Sequence, residues 1–234
     1  PTHPFICCTK ANCLRLSNKI EEALKFYTRA LELNPFCVYA YTGKGNIYNY
    51  KDHKKALEFH EKALEMNPFD YRGWNNKAVV LQDMNKFTEA EEFYLHALSL
   101  EKNDPYIYSN LGNLSKSLGQ FERAVQFYKK GLQLNSSINF IKSNMADCFW
   151  KMGQNQKAVS ILHEVVDSDP LNEEYSTDLA LYLSQVGQQQ ESLDLFEKIL
   201  TFTKDRKKTL FRKCMVLLDS ENFYQVRQVF QEIL

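Results

Sequence analysis

The stretch Ala78–Ala97, AVVLQDMNKFTEAEEFYLHA, decides the fold. It reads as helix, tight turn, helix, with apolar residues at three- and four-residue spacing and small residues at two hinges, Ala78 and Ala90. The same shape recurs along the chain. Ala11 and Ala23 stand twelve apart, as do Gly112 and Ala124, Ala146 and Ala158, Ala180 and Ser192, and Cys214 and Val226. Five consecutive copies, from Ala78 through Cys214, are offset by 34 residues each. A fixed period of that length built from helix pairs signals an all-α solenoid, in which each unit buries its apolar face against its neighbours.

The period divides residues 1–234 into a single array of about seven helix-turn-helix units, approximately 4–37, 38–70, 71–104, 105–138, 139–172, 173–206 and 207–234. Asn34-Pro35, Asn67-Pro68 and Asp169-Pro170 break the chain between units, because proline lacks an N–H and disfavours helix in the residue before it. Within units, Gly119, Gly153 and Gly187 fall at equivalent places, and Asn18 and Asn85 hold the same slot earlier. These residue types suit a left-handed helix end. In the second unit Gly45 and Ala56 are only eleven apart, which predicts a tightened turn around Tyr50 to His53.

The pattern aromatic-x-x-Leu-Gly-x-x-Tyr … Ala … Phe/Tyr … Ala … Pro resembles the tetratricopeptide repeat (TPR) family. It is carried by Trp74, Ala78, Leu81, Ala90, Tyr94 and Ala97, and by Tyr108, Leu111, Gly112, Ala124 and Tyr128. The resemblance covers essentially the whole chain. It implies a right-handed superhelix of antiparallel helix pairs, with first helices lining a concave groove and second helices forming the back. It also implies a non-catalytic scaffold that binds peptide segments or builds assemblies.

Composition agrees with such a class. Apolar residues make up 44% and charged residues 25%, with 29 basic and 29 acidic side chains. Zero net charge gives no general attraction to nucleic acid or an anionic surface, so no nucleic acid partner is expected. No run of about 18 apolar residues occurs, so no membrane insertion is expected. No basic-then-apolar leader stands at the start, and the expected setting is intracellular, cytoplasmic. The chain starts Pro1-Thr2-His3 and stops at Leu234 within an apolar helix pattern, which reads as a piece of a longer protein. Six cysteines at 7, 8, 13, 37, 148 and 214 lack paired spacing and read as reduced, small apolar residues, with no metal. His3, His53, His60, His96 and His163 form no metal-binding pair, and no phosphate-cradling or nucleophile motif occurs, so neither catalytic residue nor cofactor is expected.

Candidate partner-binding residues come from equivalent places in successive first helices. One stripe, Phe5, Tyr39, Arg72, Tyr106, Phe140, Glu174 and Lys208, is aromatic at four of its first five members. Flat amphipathic rings give contact area while freezing few torsions. Two further stripes are amides: Asn76, Asn110 and Asn144 at 34-residue intervals, and Asn12, Asn46 and Asn113, continued by Asp147. A primary amide can satisfy both N–H and C=O of an extended backbone. The stripes resemble the asparagine ladder in the TPR superhelix of O-linked N-acetylglucosamine transferase. A carboxylate clamp fits less well: Lys116 and Arg72 are its only basic candidates in the first four units, and Cys8 and Thr42 stand where lysines are needed. Leu181, Phe211, Met215 and Leu218 replace polar groove residues in the last two units, an apolar patch suited to a partner helix, a capping helix or self-association. Two alternative roles remain: a structural subunit docking by convex face and ends, and the targeting arm of a multidomain enzyme such as a glycosyltransferase.

Overall fold

The computed structural model describes residues 3–219 and 222–233, and the terminal Leu234 lies outside them. Among the described residues there are fourteen helices and no strand. They form an all-α, superhelical repeat fold. They run α1 (Pro4–Leu16), α2 (Ile20–Leu33), α3 (Val38–Tyr48), α4 (His53–Met66), α5 (Tyr71–Asp83), α6 (Phe87–Leu100) and α7 (Pro105–Ser117). The second half holds α8 (Phe121–Leu134), α9 (Asn139–Lys151), α10 (Asn155–Ser168), α11 (Glu173–Gln185), α12 (Gln189–Leu200), α13 (Arg206–Asp219) and α14 (Phe223–Ile233). Contacts gather these helices into two compact units, Pro1–Leu114 and Ser115–Leu234.

Turn chemistry sets the pairing. Asn18 and Asn85 have φ of 59°, and Gly119, Gly153 and Gly187 have φ of 72–85°. Each lets the next N–H reach back to the preceding helix, as in Lys19 N–H to Leu14 C=O (2.8 Å) and Gln154 N–H to Phe149 C=O (2.9 Å). A Cβ on Gly153 would meet nothing within 4 Å, so glycine serves the left-handed backbone there rather than space. The shortened second pair closes differently. Asp52 N–H bonds Tyr48 C=O (2.8 Å), and the Asp52 carboxylate accepts from Lys55 N–H (3.1 Å), with no left-handed residue. Between pairs, Asn34, Asn67 and Asp169 are extended or lie outside the helical region, as residues preceding proline prefer.

Packing rests on the small residues of the period. Ala11, Ala23, Ala30, Ala56, Ala78, Ala90 and Ala97 are fully buried in the first unit, and Ala124, Ala146, Ala158 and Ala180 in the second. Ser192 substitutes by donating its hydroxyl to Ala180 C=O (2.6 Å). Second helices bring one large side chain to the seam: Tyr27, His60 and Tyr94 in the first unit, Tyr128, Leu162 and Phe196 in the second, all buried. Tyr27 lies against Gly43, where an added Cβ would sit 2.2 Å from its ring. His60 lies against Gly45, donates to or accepts from Asn49 Oδ1 through Nε2 (3.2 Å), and leaves Nδ1 without a protein partner. Burial pushes its pKa down to about 4. Five cysteines are buried, as apolar residues should be, and Cys8 and Cys37 place their thiols 3.6 Å apart. Cys13 departs from that reading, since it is exposed on α1.

Two outcomes follow from this seam. Gly43→Ala should lower stability by about 1–3 kcal/mol through overpacking, more than the roughly 1 kcal/mol gained in helix propensity, read as a lower denaturation midpoint. For His60, the folded pKa lies below the unfolded 6.5, so its contribution is complete above that pH and is lost as pH falls toward about 4. His60→Tyr should flatten that acid loss, about 3 kcal/mol at most, in melting curves taken from pH 7 to 4.

Candidate functional site

In the first unit, α1, α3, α5 and α7 carry the predicted stripes. Tyr39 is exposed at the start of α3 and meets Phe5 edge to face, with ring centroids 6.5 Å apart. Tyr106, at the start of α7, is also exposed. Arg72, on the first turn of α5, sets its guanidinium over the Tyr71 ring (5.2 Å). It helps line a cleft of about 390 Å³ with Tyr39, Thr42, Asn67 and Asp70. Asp70 caps α5 by accepting from Arg72 N–H (3.1 Å). Tyr39 and Arg72, separated by 33 residues, are thus brought to one cleft.

The amides do not behave alike. Asn12 accepts from the Tyr27 hydroxyl (2.5 Å), which ties its carbonyl to the seam between α1 and α2. Asn110 donates Nδ2–H to Asn75 Oδ1 (2.9 Å), a rung between α7 and α5. Asn46, Asn76 and Asn113 are half-buried. Asn46 and Asn76 make no side-chain hydrogen bond among the described residues, so both ends of each amide are open to a ligand.

In the second unit, Asn144 and exposed Phe140 lie on α9. Asn144 Oδ1 accepts from Lys116 Nζ (2.7 Å), and the same ammonium pairs with Asp147 (3.2 Å). Lysine only donates, so Asn144 must turn its carbonyl to Lys116 and its N–H groups elsewhere. Tyr182 of α11 donates its hydroxyl to Asp147 (3.2 Å) and stacks on Trp150 at 3.9 Å between centroids. Asp178 continues the asparagine stripe 34 residues after Asn144, a spacing already present in the sequence. Burial, reinforced by Glu174, pushes its carboxyl up to about 6, against the opposing pull of Arg212. Lys116 thus joins Asn144 and Asp147 in one hydrogen-bonded network. The apolar patch divides: Leu181 is half-buried and packs on the core formed by Ala180, Phe196, Ile199 and Val216, whereas Phe211, Met215 and Leu218 are exposed on α13. The run Lys204–Lys208 is an exposed turn and helix start, with Asp205 capping Lys208 N–H (3.1 Å).

Among the described residues no group of three or more His, Cys, Asp or Glu is placed to hold a metal ion, and no helix is long and apolar enough to cross a membrane.

This geometry predicts one pH effect. The folded pKa of Asp178 is raised, so its contribution favours folding at low pH and is lost as pH rises through about 6. Asp178→Asn should therefore be more stable than wild type at pH 8, by about 1–2 kcal/mol after allowing for partial solvent screening. The gap should close below pH 4 in paired thermal melts.

Comparison with known proteins agrees with this architecture. Family models for the tetratricopeptide repeat match residues 4–37, 105–137 and 61–92, and one for a bacterial transcriptional activator domain matches 134–206. No curated protein matches the chain in sequence. Among solved structures, a chain of the APC/C hetero-tetramer Cut9–Hcn1 superposes with a TM-score of 0.80 at 14% identity, over 93% of this chain and 43% of that one. Yeast Tom70 superposes with a TM-score of 0.73 at 16% identity, over 86% and 44% respectively. YrrB, described as a TPR protein with an unusual peptide-binding site, gives 0.57 at 19% identity, over 84% and 97%. This chain thus spans less than half the length of the first two. With the 34-residue period and the buried small hinges, these matches identify residues 4–37, 61–92 and 105–137 as tetratricopeptide repeats.

Proposed function

We propose that this chain is a non-catalytic protein-interaction scaffold that captures an extended or helical segment of another protein on its first-helix faces. The observation that carries the reading is the pair of unengaged amides, Asn46 and Asn76, on the same unit as the exposed rings of Tyr39 and Tyr106. Protein surfaces seldom leave half-buried amides without partners, because each unpaired polar group loses solvation. An extended backbone supplies the missing donors and acceptors at each residue. The rings add apolar contact with little loss of freedom.

The roles differ between units. In the first, Asn46, Asn76, Asn110 and Asn113 hold backbone, and Tyr39, Tyr106 and Arg72 contact side chains. In the second, Asn144 offers N–H groups to a carbonyl, with Phe140 beside it on the same helix. Asn12 has a lesser part, since Tyr27 occupies its carbonyl. That YrrB is a TPR protein with a peptide-binding site supports the class of ligand.

Affinity purification with wild type and an Asn76→Ala, Asn110→Ala, Asn144→Ala variant, identified by mass spectrometry, tests this. Partners should be lost from the variant while its circular dichroism stays unchanged. Each lost amide should weaken a purified partner segment by about 1 kcal/mol, roughly fivefold, in calorimetry. An unchanged partner set would sink the reading and favour a structural subunit that docks through its back and ends.

A further inference from the structure

Cys8 of α1 and Cys37, the residue before α3, place their sulfurs 3.6 Å apart in the core of the first unit. Neither stands where the period asks for a small apolar residue. Places equivalent to Cys8 in later first helices hold Thr42, Asn75, Ser109, Ser143 and Thr177, all polar. The place of Cys37 is a helix N-cap. Asp70, Asp104, Asn172 and Asp205 hold it before α5, α7, α11 and α13, and each accepts a backbone N–H of its helix. Ile138 before α9 caps nothing, and it packs in the core as an apolar residue. Cys37 caps nothing either, and its sulfur meets Cys8 instead.

Two thiols in contact can do together what neither does alone. Among the described residues no group of three or more His, Cys, Asp or Glu is placed to hold a metal ion, and two sulfurs do not complete a zinc site. A disulfide asks only that the sulfurs close by about 1.5 Å.

We propose that Cys8 and Cys37 are a disulfide-forming site, a reversible staple between the pair α1–α2 and the pair α3–α4, closed by a peroxide. Cys37 reacts first, being 8% exposed against 2% for Cys8. Burial, with Cys37 beside it, pushes the Cys8 thiol up to about 12, which keeps it protonated until its partner has changed. The Cys37 sulfur attacks one peroxide oxygen, the O–O bond breaks, and the departing hydroxide takes up the Cys37 proton as water, leaving a sulfenic acid. The Cys8 sulfur then attacks the Cys37 sulfur, the S–O bond breaks, and the hydroxide leaves with the Cys8 proton as a second water. Two thiols lose two electrons, and one peroxide gains them. The cysteines are 29 residues apart, so the bond closes a loop that contains all of α2 and ties α1 to the start of α3. Phe5 and Tyr39, whose rings meet edge to face, lie three residues before Cys8 and two after Cys37, and the same bond holds them together. The site uses none of the amides assigned to a bound segment and closes with or without one.

Peroxide treatment of a Cys13→Ser chain, which lacks the exposed thiol, tests the site. The intact mass should fall by two hydrogens, with the tryptic peptide ending at Lys10 joined to the one from Ala30 to Lys44. The link should survive Cys7→Ala, vanish in Cys8→Ala and in Cys37→Ala, and reverse with dithiothreitol. Oxidation should raise the melting midpoint by about 5–10 °C, and leave it unmoved in Cys8→Ala. Circular dichroism should be the same for every variant. The proposal is overturned by a folded chain whose thiols gain oxygen without a link. A link that persists in Cys8→Ala, or a linked chain with an unmoved midpoint, overturns it as well.

Discussion

Helices in this chain can pair as they do because small residues, mostly alanine, stand at the buried hinge places of the period. A buried alanine contributes little apolar area of its own, but it lets the neighbouring helix approach until one large side chain fills the remaining space. Tyr27, His60, Tyr94, Tyr128, Leu162 and Phe196 are those fillings, and all are buried. The first two have glycines facing them, Gly43 and Gly45, where even a methyl group would intrude. Size at the hinge and size of the filling are thus set together, unit by unit.

The faces that remain open inherit their register from that seam. Once the hinge places are fixed, every third or fourth residue of a first helix is committed to the pair, and the others are free to vary. The variation is chemical rather than structural. The first unit shows the unengaged amides of Asn46 and Asn76 beside exposed rings, whereas Lys116, Asn144, Asp147, Asp178 and Tyr182 build a charged network in the second. The same backbone thus carries two surfaces of different chemical character.

The helix pairs were legible in the sequence because a 34-residue period, the left-handed Asn and Gly places and the Asn-Pro breaks are local signals. The missing residue of the second pair does not shorten its turn as expected: α3 has 11 residues against 13 in α1 and α5, and Asp52 supplies the cap that replaces the left-handed residue. Which stripe members lie near the surface was also legible, from their place in the period. What their side chains do was not. Asn12 differs from Asn46 by meeting Tyr27, and Asn144 differs from Asn76 by meeting Lys116, 28 residues earlier. Such partners depend on rotamers and on which neighbour extends far enough, and periodicity carries neither. Cys13 shows the same limit, since residue type alone does not set it apart from its buried counterparts.

That exposed cysteine has a practical consequence. Burial and the neighbouring Cys37 push the Cys8 thiol up to about 12, and burial pushes Cys148 up to about 11. A thiol that is both covered and protonated reacts slowly with maleimides and iodoacetamides, whose target is the thiolate. Cys7, Cys37 and Cys214 are covered as well. The chain therefore carries its own single address for a fluorophore or spin label, on α1 beside Asn12.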